Sequence, residues 1–153
     1  MKKYPLFYMA LGMAALCFIL PQCKKHATRL KNITLYGQPL PVIQKYVSGT
    51  WKLEYDYGGI AANQRTDFHD KDYIWQIDNG SHIKQWYMGN LITDTTIEWY
   101  QYTYGGGDKI FVMKFYEKRM YPYNYIVWSI VNDSLVLRDF GSDPVTYRFS
   151  KQN

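Results

Sequence analysis

Aromatic side chains are the groups in this sequence best suited to bind another molecule. The 153 residues include 16 Tyr, 7 Phe and 5 Trp, many of them two positions apart. Tyr and Trp combine an apolar ring with a hydrogen-bonding group, which suits a partly wet pocket for a hydrophobic or sugar-like ligand. The predicted ligand-binding residues are Tyr55, Trp75, Tyr100, Tyr102 and Tyr125. The same rings also pack well between strands, so an interior filled by side chains remains an alternative.

Groups that commonly carry catalysis are sparse. The sequence has no nucleophile elbow, phosphate loop or dinucleotide fingerprint. His69 lies in an acidic run, residues 66–72, that lacks the glycine-punctuated spacing of a calcium loop. Glu54 and Asp56 alternate with aromatic residues and are therefore expected to face solvent. We predict no enzyme activity, no cofactor and no metal site.

The elements that must position these side chains are predominantly strands. Apolar and polar residues alternate after residue 48, which is typical of half-buried strands. Residues 42–48 precede them as a short helical turn. The predicted strands span residues 51–57, 73–77, 82–88, 91–104, 109–116, 123–131, 134–138 and 145–150, with the long fourth strand bent or bulged. Short connections favour a single all-β, eight-stranded antiparallel up-and-down barrel, with a β-sandwich as the alternative.

The start of the first strand resembles that of a known family. Residues 47–53 read Val-Ser-Gly-Thr-Trp-Lys-Leu, and this Gly-x-Trp pattern after a helical turn is similar to the opening motif of lipocalins. The resemblance implies that Gly49 and Trp51 plug the closed end of a barrel. It also implies that an arginine of a late strand packs across the tryptophan. Arg148 is the first candidate for that role and Arg138 the second.

The N-terminal segment predicts export and a lipid anchor. Residues 1–22 combine a basic start with a short apolar run, which indicates a signal peptide. The sequence Leu-Pro-Gln-Cys at 20–23 resembles a bacterial lipobox, which implies lipid attachment at Cys23. A cleaved soluble protein and an uncleaved anchor are the alternatives. The predicted domains are the signal peptide, a lipidated basic tether at 23–41 and a lipocalin-like barrel at 42–153.

The distribution of charge along the sequence indicates which classes of partner the folded part can bind. Residues 1–48 contain seven Lys or Arg and no acidic residue, so residues 49–153 contain 11 basic and 13 acidic residues. A nucleic-acid-binding fold would carry the basic patch on the folded part, so we predict no nucleic-acid partner.

These observations favour a non-catalytic bacterial cell-envelope lipoprotein. It is expected to attach to a membrane through its N-terminal lipid and to bind a small hydrophobic or aromatic-stacking ligand. The alternative is a filled barrel that acts as a structural module or docks another envelope protein. Such docking would use exposed aromatic residues such as Tyr121 and Tyr123.

Overall fold

The computed structural model describes residues 32–60, 64–104, 106–116 and 123–152, and within them the chain is mostly β-strand. Lipid attachment at Cys23 and the predicted signal peptide lie outside these residues. The elements are β1 (Ile33–Thr34), α1 (Leu40–Val47), β2 (Gly49–Gly58), β3 (Arg65–Asp67), β4 (Tyr73–Asp78), β5 (His82–Tyr87), β6 (Asn90–Thr96), β7 (Glu98–Thr103), β8 (Lys109–Phe115), β9 (Tyr123–Val131), β10 (Ser134–Asp139) and β11 (Val145–Gln152).

The strands form one antiparallel sheet in which the first long strand pairs with the last. The order is β6-β5-β4-β2-β11-β10-β9-β8-β7, with β3 paired to β2 and β1 paired to β9. The β2–β11 ladder runs from Gly58 opposite Val145 to Thr50 opposite Gln152. The predicted meander of short hairpins is therefore observed. Its first long strand, β2, pairs with its last strand, β11.

The sheet is curled into a half-barrel around one main core. Trp75 of β4 lies 5.6 Å from Phe115 of β8 and 5.5 Å from Tyr125 of β9, measured between ring centroids. Three or more strands separate β4 from these partners in the sheet order. Such contacts require a strongly curved sheet, so the large core cluster occupies its concave face. We call this the inner face and the opposite one the outer face.

Eleven strands are present where eight were predicted. Two of the additional strands are the short β1 and β3. The third arises because the predicted fourth strand, residues 91–104, divides at Ile97 into β6 and β7. Ile97 is 4% exposed, and β6 pairs with β5 while β7 pairs with β8. The predicted bend in this strand is therefore present, at the residue where its pairing partner changes.

The predicted tether is partly folded. Ile33 and Thr34 pair with β9, and Leu35 is fully buried in the main core. Residues before the predicted boundary at residue 42 therefore pack on the sheet. The reason is hydrophobic, because residues 33–35 add apolar side chains that complete the packing against β9.

The predicted helical turn is confirmed as α1, which covers one end of the sheet. Pro41 lies in the first turn, where its missing N–H costs no hydrogen bond. Ile43 and Val47 are buried against the core. The turn between β4 and β5 approaches the helix so closely that a Cβ on Gly80 would lie 2.5 Å from the Gln44 Cβ atom. We call this the helix end of the sheet, and the opposite end the far end.

Candidate functional site

Trp51, the tryptophan of the Gly-x-Trp motif, is buried at the helix end. The Trp51 side chain is fully buried, and its indole N–H donates a 2.7 Å hydrogen bond to the carbonyl oxygen of Val47 at the end of α1. Gly49 connects the helix to the strand with a φ of 134°, a backbone conformation that L side chains rarely adopt. These two residues fix the end of α1 to the first residues of β2.

The cation over Trp51 differs from the predicted one. Lys151 Nζ lies 5.7 Å from the Trp51 ring centroid, and the two residues are direct cross-strand neighbours. Arg148 lies on the outer face, where its guanidinium is 3.4 Å from the Tyr55 hydroxyl. Arg138, the second candidate, lies over Trp128 instead. The strand alternation explains the difference, because Lys151 shares its face with Phe149 whereas Arg148 does not.

Trp75 and Tyr125, two of the five predicted ligand-binding residues, lie on the inner face. Both are almost fully buried. Tyr125 stacks on Tyr123 with centroids 6.0 Å apart and meets Tyr147 edge-on at 5.4 Å. Together with Tyr73, which meets Trp75 edge-on, these tyrosines form the inner tyrosine cluster: Tyr73, Tyr123, Tyr125 and Tyr147.

Tyr55, Tyr100 and Tyr102, the other three predicted residues, lie on the outer face. Tyr100 and Tyr102 are opposite Val112 and Ile110 of β8, which belong to a small second cluster that is separate from the main core. The inner face of β7 carries Trp99 instead. The prediction that these aromatic stripes share one pocket is therefore not met, because a one-residue difference in phase exchanges the two faces of a strand.

A β-bulge moves Tyr55 to the outer face. In the β2–β11 ladder Leu53 is opposite Phe149, whereas Tyr55 is opposite Arg148, so Glu54 is an extra residue on β2. Beyond the bulge the alternation is reversed. Asp56 is directly opposite Tyr147, and directly opposed residues share a face. The structure therefore places Asp56 inside, where the sequence predicted a solvent-facing carboxylate.

Asp139 is the second carboxylate on the inner face, and the sequence analysis missed it. It ends β10 opposite Tyr125, and its carboxylate accepts a 3.2 Å hydrogen bond from the Tyr147 hydroxyl. Burial raises the pKa of Asp139, and the negative charge of Asp56 adds to that increase, while hydrogen bonds from Tyr147 and the Val145 N–H oppose it. Burial also raises the pKa values of Tyr147 and Tyr125 above the ordinary phenol range. At neutral pH these two phenols therefore remain protonated donors.

A row of buried polar groups crosses the neighbouring strands. Trp75, Gln85 and Thr93 are successive cross-strand neighbours on β4, β5 and β6. Each is at most 2% exposed. Within the described part of the chain, the Trp75 Nε1, Gln85 Oε1 and Thr93 Oγ1 atoms have no hydrogen-bond partner. An unsatisfied buried polar atom costs about 1–3 kcal/mol, so a row of three is unusual for plain core.

A cavity of about 620 Å³ opens at the far end. Tyr123, Asp139 and Val145 contribute to its lining from strand ends. Asn124 of β9 lines it as well, and the turn before β11 and the turn after β2 provide the remainder, including Phe140 and Ile60. Its volume lies in the range of small-molecule sites, about 300–1,000 Å³. The interior nearer Trp51 is filled by aromatic and aliphatic side chains.

The outer face of β7–β10 carries a second aromatic surface. Tyr102, Tyr104 and Trp128 are 36–40% exposed, and the Tyr102 ring lies 4.8 Å from Phe140. A cavity of about 290 Å³ adjoins Tyr104 and Trp128. Of the aromatic residues predicted to be exposed, Tyr121 lies outside the described residues. Tyr123 is partly buried against the main core instead.

The signal for the missed residues was present in the sequence. On β10 the buried Leu135 and Leu137 alternate, and the next residue in phase is Asp139. Similarly, Tyr147 is in phase with the buried Phe149 on β11. Gln85 lies in phase with Ile83 on β5. Strict alternation from a confirmed core residue would have placed each of them inside.

Two further observations concern metals and membranes. Among the described residues, no three His, Cys, Asp or Glu side chains are grouped as a metal site would require. No helix in the described ranges has the length and apolar character needed to cross a membrane.

Comparisons of the chain with protein-family models, with curated proteins and with solved structures find no match.

Proposed function

We propose that this chain is a non-catalytic, lipid-anchored bacterial cell-envelope protein that binds a small aromatic-stacking or hydrophobic molecule in a lipocalin-like barrel. The far-end cavity carries the proposal. It combines a volume of about 620 Å³ with the Asp139 carboxylate and the Tyr123 ring, which belongs to a stack of aromatic residues. Rings provide stacking surfaces and the polar groups fix orientation, which is the usual composition of a small-molecule site.

Strand order supports the barrel in this proposal. The two outermost strands of the sheet order, β6 and β7, are consecutive along the chain and separated by Ile97 alone. One nearly continuous strand, residues 90–103, therefore pairs with β5 through its first half and with β8 through its second. A strand shared in this way would close the eight long strands of the sequence prediction into a barrel and remove the free edges.

The lipid anchor rests on the sequence of residues 1–23. Its test is a Cys23→Ser variant expressed with its own leader in a Gram-negative host. We expect the native chain to incorporate labelled fatty acid and to fractionate with membranes, and the variant to do neither. Equal labelling and equal fractionation of the two chains would refute attachment at Cys23.

Native mass spectrometry tests the binding function. The full-length chain, purified in detergent from an envelope fraction, is expected to show a mass excess that disappears on denaturation. The matched variants are Tyr123→Ala at the far end and Tyr102→Ala on the outer face. We expect the first to lose the excess mass and the second to retain it. Retention by both variants would place the ligand elsewhere and refute the far-end site.

A second candidate function is docking to another envelope protein through the outer aromatic surface. It is favoured by the contiguous exposure of Tyr102, Tyr104 and Trp128, because large exposed apolar patches mark interaction sites. Cross-linking in the native envelope tests it. A partner captured by the native chain and by Tyr123→Ala, but lost with Trp128→Ser, would favour docking over ligand binding.

A further inference from the structure

We infer that the inner face contains a buried water site, in which ordered water bridges the side chains of Trp75, Gln85 and Thr93. These residues are direct cross-strand neighbours on β4, β5 and β6, and we call them the polar row. None of the three is among the residues that line the far-end cavity. The inference therefore goes beyond the proposed function and does not depend on the ligand proposed there.

The polar row contains complementary groups that do not bond to one another. The Trp75 Nε1 atom is a donor only, the Gln85 Oε1 atom is an acceptor, and the Thr93 hydroxyl is both. Within the described ranges, each of these three atoms lacks a hydrogen-bond partner. Turning over the Gln85 amide would exchange its acceptor for a second donor and still leave the indole N–H without a partner. A group between the side chains is needed to join them.

Two other tryptophans show what the Trp75 indole lacks. Trp51 is directly opposite Trp75 in the sheet, and its indole N–H donates to the carbonyl oxygen of Val47. The indole N–H of Trp99 donates to the carbonyl oxygen of Gly80. Trp75 is nearly as buried as Trp51, but the described backbone supplies no acceptor to its indole. An acceptor from outside the chain is therefore expected at Trp75 and not at Trp51.

Water matches the polar row in chemistry and in size. A water molecule accepts the indole N–H and donates to the oxygens of Gln85 and Thr93, and internal waters typically make about three hydrogen bonds. A larger ligand would need a cavity of about 300 Å³ or more. The Trp75 ring instead packs against Phe115 and Phe149, with ring centroids 5.6 and 4.7 Å apart.

A β-bulge beside the polar row is a second structural feature that favours water there. In the β5–β6 ladder Gln85 is opposite Thr93, whereas Trp86 is opposite Leu91, so Ile92 is an extra residue on β6. A bulge leaves its extra residue unpaired and locally disrupts the ladder. Water at this point therefore does not have to replace a regular pair of backbone hydrogen bonds.

Magnetisation transfer from water in NMR spectra of the full-length, isotope-labelled chain in detergent tests the site. The Trp75 indole proton should receive magnetisation from a long-lived bound water, whereas the Trp51 indole proton should receive none. Trp75→Phe assigns the signal because it removes the indole and keeps an aromatic ring. Thr93→Val and Gln85→Met should each reduce the transfer severalfold, since the water loses one of its partners. Thr96→Val, at an exposed position of the same strand, should leave the transfer unchanged.

The comparison of Trp75 with Trp51 needs no substitution, so it decides the question even if a variant does not fold. Absence of transfer to Trp75 in the folded native chain would overturn the inference. Equal transfer to both indoles would also overturn it, because water would then enter the interior without a defined site. Transfer that is unchanged in Thr93→Val and in Gln85→Met would overturn the bridging role of these side chains.

Native mass spectrometry separates water from a larger ligand in the polar row. A mass excess that Gln85→Met abolishes and Tyr123→Ala retains would place a larger molecule at the polar row and overturn the water site. The opposite pattern would support the far-end site and leave the water site to the NMR result.

Discussion

The two ends of the interior use aromatic residues for different purposes. At the helix end, Trp51 is enclosed by apolar side chains, and its indole N–H is satisfied by the carbonyl oxygen of Val47. At the far end, tyrosines surround a carboxylate, and a cavity opens between the strand ends. The helix end therefore presents a tryptophan whose polar atom is satisfied, while the far end presents a partly buried carboxylate beside a cavity.

This contrast indicates how the chain separates stability from recognition. Trp51 at the helix end is hydrogen-bonded and fully buried, so its replacement should act on folding. Charge and hydrogen-bonding groups collect at the far end, so changes there should act mainly on ligands and on pH dependence. Both regions belong to one inner face, which is packed around Trp51 and opens into a cavity at the far end.

The largest expected effect is at the helix end. Trp51→Ala should lower the free energy of unfolding by about 3–5 kcal/mol, because it removes a fully buried side chain together with its hydrogen bond to Val47. Chemical denaturation measures the change. The matched control is Trp128→Ala on the outer face, where the side chain is 36% exposed and a smaller loss is expected. An unchanged midpoint for Trp51→Ala would refute the plug role.

A smaller effect is expected where the turn between β4 and β5 meets the helix. Gly80→Ala should cost about 1–3 kcal/mol more than Gly89→Ala, as expected where a new atom meets packed neighbours. Both glycines have positive φ values, 63° and 77°, so backbone strain is similar at the two sites. A Cβ on Gly80 would collide with Gln44 of α1, whereas a Cβ on Gly89 would have nothing within 4 Å. Equal denaturation midpoints for the two variants would show that the helix does not need this close approach.

Much of the fold was predictable from residue patterns. Alternation located the long strands, and the pattern around Gly49 and Trp51 located the helix and the buried tryptophan. Pairing between distant strands is decided by the whole sheet, so the short strands β1 and β3 carried no comparable signal. The hydrophobicity of Leu35 did not distinguish a tether from a strand that docks on β9.

The candidate site was harder to predict because it depends on strand phase. A single extra residue at Glu54 turns Tyr55 outward and Asp56 inward. Sequence alternation alone contains no mark of such a bulge. On β7 Tyr100 and Tyr102 lie on the outer face because Trp99 faces inward. Two adjacent aromatic residues, Trp99 and Tyr100, do not reveal which of the two alternating sets is buried. Trp75 and Tyr125 lie on the inner face and are almost fully buried, and their predicted role in ligand binding stays a prediction.

The far end should give the protein a distinctive pH dependence. A raised pKa means that folding favours protonated Asp139, so this contribution to stability is full below the ordinary Asp pKa of about 4. It is lost as pH rises through the folded-state pKa. Asp139→Asn removes the titration. The free energy of unfolding of the Asp139→Asn variant, relative to that of the native chain, should therefore increase from pH 4 upward and then level off.

Thermal unfolding across pH 3.5–8 measures this difference, with Asp67→Asn on the exposed strand β3 as the control. The groups that face Asp139 are Tyr147, Tyr125 and Tyr123, together with Asp56 of β2. The raised pKa values of Tyr147 and Tyr125 keep both phenols protonated in this range, so they leave the profile unchanged. A stability difference that is constant with pH, or that shrinks as pH rises, would contradict the buried position of Asp139.

The smallest expected effect sharpens the assignment of inner and outer faces. Tyr102→Phe removes a hydroxyl from a side chain that is 40% exposed on the outer face, so stability should change by less than about 0.5 kcal/mol. Tyr147→Phe removes the donor to Asp139 and should reduce the mass excess expected in native mass spectrometry, whereas Tyr102→Phe should leave that mass excess unchanged. Because both substitutions delete one phenol hydroxyl, only its position differs between the two variants. If Tyr102→Phe reduced the mass excess as much as Tyr147→Phe, the site would not be confined to the far end of the interior, and the outer aromatic surface would take part in binding.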